Sequence, residues 1–295
     1  MSAGVISALA PAKVNLYLHV APLQADGYHP LASLMAFANI GDRVEAERAD
    51  VISLEIAGPF SAGLSAGEDN LVMRAARRLS AVVGSGAGAR LTLTKALPVA
   101  SGLGGGSCDA GAALRLLRRL VAPTLGDAAL QSVAESLGAD GAACLWGKAV
   151  IAEGRGERLS PAPLLPPLPA VLVNPGVPSP TGAVYRAYDE LGALGGCDQP
   201  APPPMVDAAG VAAWLALCRN DLEAPALALE PRIGLALDAM AARPESLFAR
   251  MSGSGATCFS LCASDDAANA MAERLTRDHP AWWVRACRLG DAPDA

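Results

Sequence analysis

Histidine is scarce in this sequence: His19, His29 and His279 are the only three. The seven cysteines (Cys108, Cys144, Cys197, Cys218, Cys258, Cys262 and Cys287) are odd in number, scattered and without a CxxC pair. Few nitrogen ligands and no paired sulfur spacing argue against a zinc site or a disulfide framework and for reduced, buried thiols. An excess of basic charge is also missing. Lys and Arg number 23 against 29 Asp and Glu, a net charge of −6. Binding along a nucleic acid normally needs a basic face, so that class of partner is not expected, whereas a single nucleotide needs only a few donors. No apolar stretch reaches membrane-spanning length free of polar breaks. The opening residues MSAGVISALAPAK lack a basic region and a long apolar core. No membrane association is expected, and the chain reads as cytoplasmic.

Glycine, by contrast, is abundant, with 30 residues. Several gather where they carry chemistry, in the stretch Lys95 to Leu114, KALPVASGLGGGSCDAGAAL. Ala89 to Thr94 alternates like a half-buried strand, and the residues from Ser107 onward favour a helix. Between them stand Gly102, Gly104, Gly105 and Gly106. A strand, a glycine-rich turn and a helix start form an anion site, because unpaired N–H groups and the helix dipole both point at the turn. A phosphate chain is the usual occupant. The stretch is not a P-loop, since no Lys follows the last glycine. It is not a Rossmann fingerprint either, since it comes a third of the way along the chain.

The rest of the chain reads as alternating helices and strands. Val5 to Ala10 is a short apolar element broken at Pro11. Lys13 to Val20 then alternates strictly, so Lys13, Asn15, Tyr17 and His19 share one face. Asp26-Gly27 makes a turn that presents Tyr28 and His29. Asp42 to Glu47 and Val51 to Ile56 read as a hairpin of exposed strands. Asn70 caps a helix over Leu71 to Val83, and further helices run to Val121 and from Asp127 to Leu137. Asp140 stands among glycines and alanines, as a helix cap or as a functional acid. The proline-dense segment Ser160 to Pro169 reads as a domain junction. A buried strand at Ala170 to Val173, a helix with Tyr185 and Tyr188, and a second glycine-rich turn within Arg250 to Leu261 follow. The fold class is α+β with two lobes, 1–160 and 161–295. With 52% hydrophobic and 18% charged residues among 295, the chain can bury a sizeable core.

Taken in order, AKVNLYL, DGYH, P-x-x-x-GLGGGS-x-DA, GAD and SGSGATCF resemble the GHMP kinase superfamily of small-molecule kinases. DGYH after AKxNL is similar to the branch that acts on a cytidine-diphosphate-linked sugar alcohol in the non-mevalonate isoprenoid pathway. The resemblance implies a GHMP kinase-like fold, with an N-terminal ATP-binding lobe, a C-terminal α/β lobe and the active site between them. It implies that Pro98, Ser101, Gly102, Leu103, Gly104, Gly105, Gly106 and Ser107 wrap the ATP phosphates. Lys95 would lie near the nucleotide and Asn70 in the region lining the adenine pocket. Tyr28 and His29 would recognise cytosine, and Tyr185, with Tyr188 as the competing register, would stack on it. Asp140 would be the catalytic acid/base, Lys13 would sit beside it, and Asn15 would hold the substrate. ATP and Mg2+ are implied, the metal carried by phosphates and water, with Ser107 a possible ligand and no protein carboxylate for it. The partners implied are ATP and the cytidyl alcohol, in a monomer or weak homodimer. A homoserine or mevalonate type of GHMP kinase, or a non-catalytic nucleotide-binding relative, remain alternatives. The chain departs from the family at Cys108, Gly111, Met35 and Gly141-Ala142-Ala143-Cys144, and the last replacement implies looser surroundings for Asp140.

Overall fold

The computed structural model describes residues 4–84, 88–192, 195–198, 200–202, 204 and 206–293. Its first half contains strands β1 (Ile6–Val20), β2 (Leu31–Arg48) and β3 (Ser53–Ala57), helix α1 (Leu71–Val83), strand β4 (Ala89–Thr94), helices α2 (Gly105–Val121), α3 (Asp127–Glu135) and α4 (Gly141–Trp146), and strands β5 (Val150–Gly154) and β6 (Arg158–Pro161). The second half contains β7 (Leu168–Asn174), α5 (Thr181–Glu190), α6 (Ala208–Leu215), α7 (Glu223–Leu229), α8 (Arg232–Ala241), β8 (Ser246–Met251), β9 (Cys258–Cys262), α9 (Asp265–Asp278) and β10 (Trp283–Gly290).

One ten-stranded sheet runs through both halves in the order β3-β4-β2-β10-β7-β9-β8, with β1 and β5 also paired to β2 and β6 paired to β5. β2 organises it. One edge of β2 pairs antiparallel with β1 from Leu31 to Ala46, and its other edge meets β5, β10 and β4 in turn. Pro11 does not end the first strand as its missing N–H suggested. β1 runs through it with a register shift between Pro11 and Lys13, which removes the ladder bond that proline is unable to donate.

The hairpin expected between Asp42–Glu47 and Val51–Ile56 does not form. β3 pairs parallel with β4, and β4 lies between it and β2. The reason is α1. Its apolar face (Val72, Met73, Ala75, Ala76, Leu79) needs a sheet to cover, and a β3-α1-β4 crossover supplies one. β3 is then left at the edge.

Helices α1 to α4 cover β1, β2 and β4 around Leu79, Leu91, Leu114 and Leu145. A second apolar cluster joins β1 and β2 to β7, β10 and α6, and a third holds β7 and β9 against α5, α8 and α9. α2 is the central helix, buried from Cys108 to Leu114. Its small residues admit α4: a Cβ on Gly111 would lie 2.4 Å from the Cys144 carbonyl oxygen, and one on Gly141 would lie 2.0 Å from the Ala134 oxygen. The run Gly141 to Cys144 is therefore a tight helix contact, contrary to the looseness expected of it. Among the described residues all seven cysteines are free thiols, and no helix is long and apolar enough to cross a membrane.

Candidate active site

The strand β4 ends at Thr94, and the chain then turns through Gly102 (φ +77°) and Gly104 (φ +63°) into α2. Both conformations are left-handed, where a Cβ is costly. Gly104 is the N-cap and has no side chain to offer, so the first N–H groups of α2 stay unpaired; Cys108 N–H is the first to close back, onto Gly104 O at 2.9 Å. They open onto a cavity of about 640 Å³ whose wall includes Gly102, Gly104, Gly105, Gly106 and Ser107. Such a helix start attracts anions, whose oxygens accept from its N–H groups.

The loop is braced from beneath by the second glycine-rich turn. Thr257 N–H donates to Ser101 O at 3.0 Å, and the Ser252 hydroxyl donates to Gly102 O at 3.1 Å. A Cβ on Gly102 would lie 2.4 Å from Ser252 O. The same turn ties in α5, since the Ser179 hydroxyl donates to Ser254 O at 2.5 Å and Thr181 Oγ1 lies 2.9 Å from Ser254 Oγ.

Each glycine at the head of α2 lies against a different group. Beside Gly104 is the pair formed by Lys13 and Asp140, with Nζ to Oδ2 at 3.1 Å. Lys13 comes from β1, where the alternation does put it on one face with Asn15, but that face is buried rather than solvated. Lys13 Nζ also donates to Asn15 Oδ1 at 2.7 Å; Asn15 Nδ2 donates to Ser33 Oγ at 2.7 Å, and the Ser33 hydroxyl donates to Tyr17 O at 2.6 Å. This chain fixes the ammonium. Burial pulls the Lys13 pKa down, Asp140 beside it pushes it up, and the net is upward, so Lys13 stays charged. Asp140 occupies the N-cap position of α4 without making a capping bond. Its carboxylate is spent on Lys13 instead and keeps 29% of its side-chain surface exposed, which leaves an oxygen open to the cavity.

Beneath Gly105 lies a cluster that sequence reading missed. Lys95 Nζ donates to Asp42 Oδ2 and, at 2.8 Å, to Asp109 Oδ2. Asp42 Oδ1 accepts from the N–H groups of Ala96 and Leu97 at 2.6 and 2.8 Å. All three side chains are buried, and Asp109 Oδ1 has no hydrogen-bond partner. Burial pushes the Asp109 carboxyl up to about 7, against the pull of Lys95 and with added repulsion from Asp42. Lys95 is thus in the cavity wall but pinned by two acids. An acid in the otherwise small and apolar run at the head of α2 was the available signal.

Of the other residues singled out by sequence, Pro98, Ser101, Asn15, Asn70 and Tyr185 line the cavity. Asn70 does so as the cap of α1: its Oδ1 accepts from Val72 N–H and its Nδ2 donates to Ser65 O, both at 2.9 Å. Leu103 is wholly buried behind the loop, and its carbonyl accepts from Lys13 N–H at 2.8 Å. Tyr185 faces the cavity, whereas Tyr188 is buried and donates its hydroxyl to Val20 O at 2.5 Å. Burial pushes the Tyr185 phenol up to about 12. His29 lies beside the Tyr185 ring at 5.2 Å, with Nδ1 2.9 Å from Ala21 O and Nε2 3.3 Å from Asp189 Oδ1. Tyr28 is 54% exposed, and the Arg155 guanidinium sits 4.0 Å from its ring centre. Arg155, unremarked in the sequence between two glycines, itself lines the cavity. Tyr28 and His29 are not among the residues of that wall. No group of three or more His, Cys, Asp or Glu side chains able to hold a metal occurs among the described residues.

Comparison with known proteins gives this arrangement a context. Residues 70–148 match the family described as GHMP kinases N terminal domain, and residues 207–281 match GHMP kinases C terminal. The chain is 61% identical to a Caulobacter protein named 4-diphosphocytidyl-2-C-methyl-D-erythritol kinase, over 97% of this chain and 98% of that one. A protein of the same name from Hyphomonas neptunium is 51% identical, over 98% of each chain. The fold matches a crystal structure of 4-(cytidine 5'-diphospho)-2C-methyl-D-erythritol kinase with a TM-score of 0.79 and 36% identity, covering 97% of this chain and all of the other. A homoserine kinase from Cytophaga hutchinsonii shares the fold, with a TM-score of 0.70, at 20% identity over 99% of this chain and 97% of that one.

Proposed function

Since the chain belongs to the 4-diphosphocytidyl-2-C-methyl-D-erythritol kinases of the GHMP superfamily, we propose that it transfers the γ-phosphoryl group of ATP to the 2-hydroxyl of that cytidyl alcohol, a step of the non-mevalonate route to isoprenoid precursors. The observation that carries this reading is the juxtaposition at Gly104. A helix start with unpaired N–H groups and the pair of buried Lys13 with half-buried Asp140 meet across one residue without a side chain.

Phosphoryl transfer asks the protein mainly for in-line placement and charge stabilisation. The N–H groups of Gly105, Gly106 and Ser107 receive the nucleotide phosphates, with Pro98, Ser101, Gly102 and Leu103 shaping the turn. The adenine end lies toward Asn70. Lys95 acts from below the loop, where its two carboxylates hold it. The acceptor is a tertiary alcohol, a very weak acid, so a base must take its proton as the new O–P bond forms. Asp140 is that base, and Lys13 orients it and offsets charge growing on the oxygen. Asn15, fixed between Lys13 and Ser33, holds the acceptor. Tyr185 from the cavity wall, with His29 and Tyr28, recognises the cytosine.

Magnesium bound with ATP would neutralise phosphate charge there, with the Ser107 hydroxyl in the cavity wall as the loop group that would hold it. The ATP-binding lobe is 1–160 and the C-terminal lobe 161–295. The enzyme works in the cytoplasm, as a monomer or weak homodimer.

The test is coupled ADP release with ATP, magnesium and 4-diphosphocytidyl-2-C-methyl-D-erythritol, with homoserine and mevalonate run beside it. Turnover is expected with the cytidyl alcohol alone, and Asp140→Asn is expected to lower kcat by about 10²–10⁴-fold. Turnover on homoserine or mevalonate instead would reassign the substrate. ATP binding without turnover on any of them would make the chain a non-catalytic relative.

A further inference from the structure

The Asn15 amide is aimed from both of its ends. Oδ1 accepts from Lys13 Nζ at 2.7 Å, and Nδ2 donates to Ser33 Oγ at 2.7 Å. An ammonium has only hydrogens to offer, so it selects the oxygen end of the amide. Ser33 selects the nitrogen end for a subtler reason. Its own hydrogen goes to Tyr17 O at 2.6 Å. A hydroxyl has a single hydrogen, and once a carbonyl takes it only lone pairs face the neighbour. Donation therefore runs one way, from Lys13 through Asn15 and Ser33 to Tyr17. Turning the amide end for end would set its NH2 against the ammonium and its oxygen against a lone pair, with buried groups left unpaired.

The backbone shows how these groups come to meet. Asn15 lies opposite Met35 and Tyr17 opposite Leu34, so β1 has one residue more than β2 at this point. Such a bulge bends a strand and re-aims its side chains. Leu18, rather than Tyr17, then stands opposite Ser33, and the Ser33 hydroxyl reaches along β1 to the Tyr17 carbonyl. The amide is closed in from the other side as well. Asn15 N–H donates to Ser252 Oγ at 3.1 Å, and a Cβ on Gly253 would lie 3.1 Å from Asn15 Oδ1. Asn15 lines the cavity, whereas Ser33 is wholly buried and is not part of its wall. Ser33 thus reaches the reaction only through Asn15. One Nδ2 hydrogen is held by Ser33, and the second is the one that Asn15 has for a bound substrate.

We propose that Ser33 is a positioning residue for phosphoryl transfer, which holds the Asn15 amide in the orientation that gives the acceptor oxygen an N–H and leaves the acceptor proton for Asp140. An amide turned the other way would accept that proton in a hydrogen bond and compete with the base for it. This assignment rests on the proposed kinase function.

Steady-state kinetics with acceptor and ATP varied separately test it, on wild type, Ser33→Ala, Ser33→Cys, Ser33→Thr, Asn15→Ala and the variant carrying both Ser33→Ala and Asn15→Ala. Loss of one buried hydrogen bond predicts that Ser33→Ala lowers kcat about 10-fold, with the KM for ATP changed less than about threefold. Ser33→Cys keeps nearly the size of serine but accepts poorly, and falls with Ser33→Ala; Ser33→Thr keeps the hydroxyl and stays within about threefold of wild type. The double variant separates positioning from packing. With the Asn15 amide gone there is nothing left to aim, so adding Ser33→Ala to Asn15→Ala costs less than about twofold. An equal loss in both backgrounds, an unchanged kcat in Ser33→Ala, or a rise in the KM for ATP instead overturns the proposal. Should Ser33→Ala fold poorly, Ser33→Cys carries the same comparison, alone and with Asn15→Ala. If wild type fails to phosphorylate the cytidyl alcohol, the kinase reading itself falls and takes this proposal with it, an outcome distinct from active wild type with an indifferent Ser33.

Discussion

The three consecutive glycines at the head of α2 face different neighbours, and an alanine scan across them should therefore give three different results. A Cβ at Gly104 would sit 2.9 Å from Lys13 Cε and 3.2 Å from Lys13 Cβ, on a backbone at φ +63°. Left-handed geometry costs an L-residue about 1–2 kcal/mol, and overpacking a tight site adds about 1–3 kcal/mol. Gly104→Ala should thus lose roughly 2–4 kcal/mol, a fall of roughly 5–10 °C in Tm for a chain of this size. More tellingly, Lys13 has to give way by at least about half an ångström, and displacements of that order at a reacting group lower kcat by about 10–10²-fold. At Gly106 the new Cβ would meet only the Leu71 Cδ1 tip, at 3.3 Å and without a positive φ. Gly106→Ala should stay within about 1 kcal/mol, the steric cost offset by better helix propensity. Gly105→Ala falls between, because its Cβ would press on Lys95 Nζ at 3.3 Å and that ammonium is pinned. Thermal melting and coupled ADP release on the three purified variants decide it. If Gly106→Ala slows turnover as much as Gly104→Ala, or if Gly104→Ala turns over normally, the assignment of one neighbour to each glycine is wrong.

Three further outcomes concern other buried groups. Lys13→Met strips Asp140 of the ammonium 3.1 Å away and should lower kcat by about 10²–10⁴-fold while ATP still binds, as read by equilibrium titration with nucleotide; retained turnover would remove Lys13 from the mechanism. Asp109 has a folded-state pKa raised to about 7, above the usual carboxylate value of 3.8. Its protonated form therefore favours the folded state, the contribution is full below about pH 4 and is lost as pH rises through about 7, at about 1.4 kcal/mol per unit. Melting temperatures of wild type should fall from pH 5 to pH 8, and Asp109→Asn should flatten that slope; parallel curves for the two proteins would refute the assignment. Asn220 Nδ2 donates to Met251 O and Gly253 O, both at 2.8 Å, from a buried position. Asn220→Ala leaves those carbonyls unpaired and should cost about 2–4 kcal/mol by denaturant titration, and a loss under about 1 kcal/mol would mean that other donors replace it.

What could be read in the sequence was local. Strict alternation put Lys13 and Asn15 on one face, and a glycine run marked a turn between strand and helix; the structure has both, because periodicity and turn chemistry act over a few residues. The choice of Tyr185 over Tyr188 needed the helix to be seated, since both lie on α5 and only packing turns one outward. Partner choice between strands was not legible either. Nothing near Val51 announces that β3 will pass over β2 and pair with β4, because that decision belongs to the face of α1. The charged groups around the loop were hidden for the same reason. Asp42, Lys95 and Asp109 come from a strand, a loop and a helix that are apart in sequence, and Arg155 meets Asp26 across more than a hundred residues of chain. Asp140 was the intermediate case: its oddity among small residues was visible, but only the absent capping bond and the contact with Lys13 show where its carboxylate is spent.

The position of β10 in the sheet bears on how the molecule is born. It is the latest strand in the chain, yet it lies between β2 and β7, touching β2 through only Leu289↔Ala38 and Gly290↔Phe37 and β7 along its length. As the polypeptide emerges from the ribosome, residues 6 to 262 can reach their places while the middle of the sheet still waits for its final member. Until then the edges of β2 and β7 stay open to strands from other molecules, the exposure that makes slow, long-range sheet closure prone to aggregation. The yield of active protein should thus be set by the last strand to arrive rather than by the glycine loop, although the loop carries the chemistry.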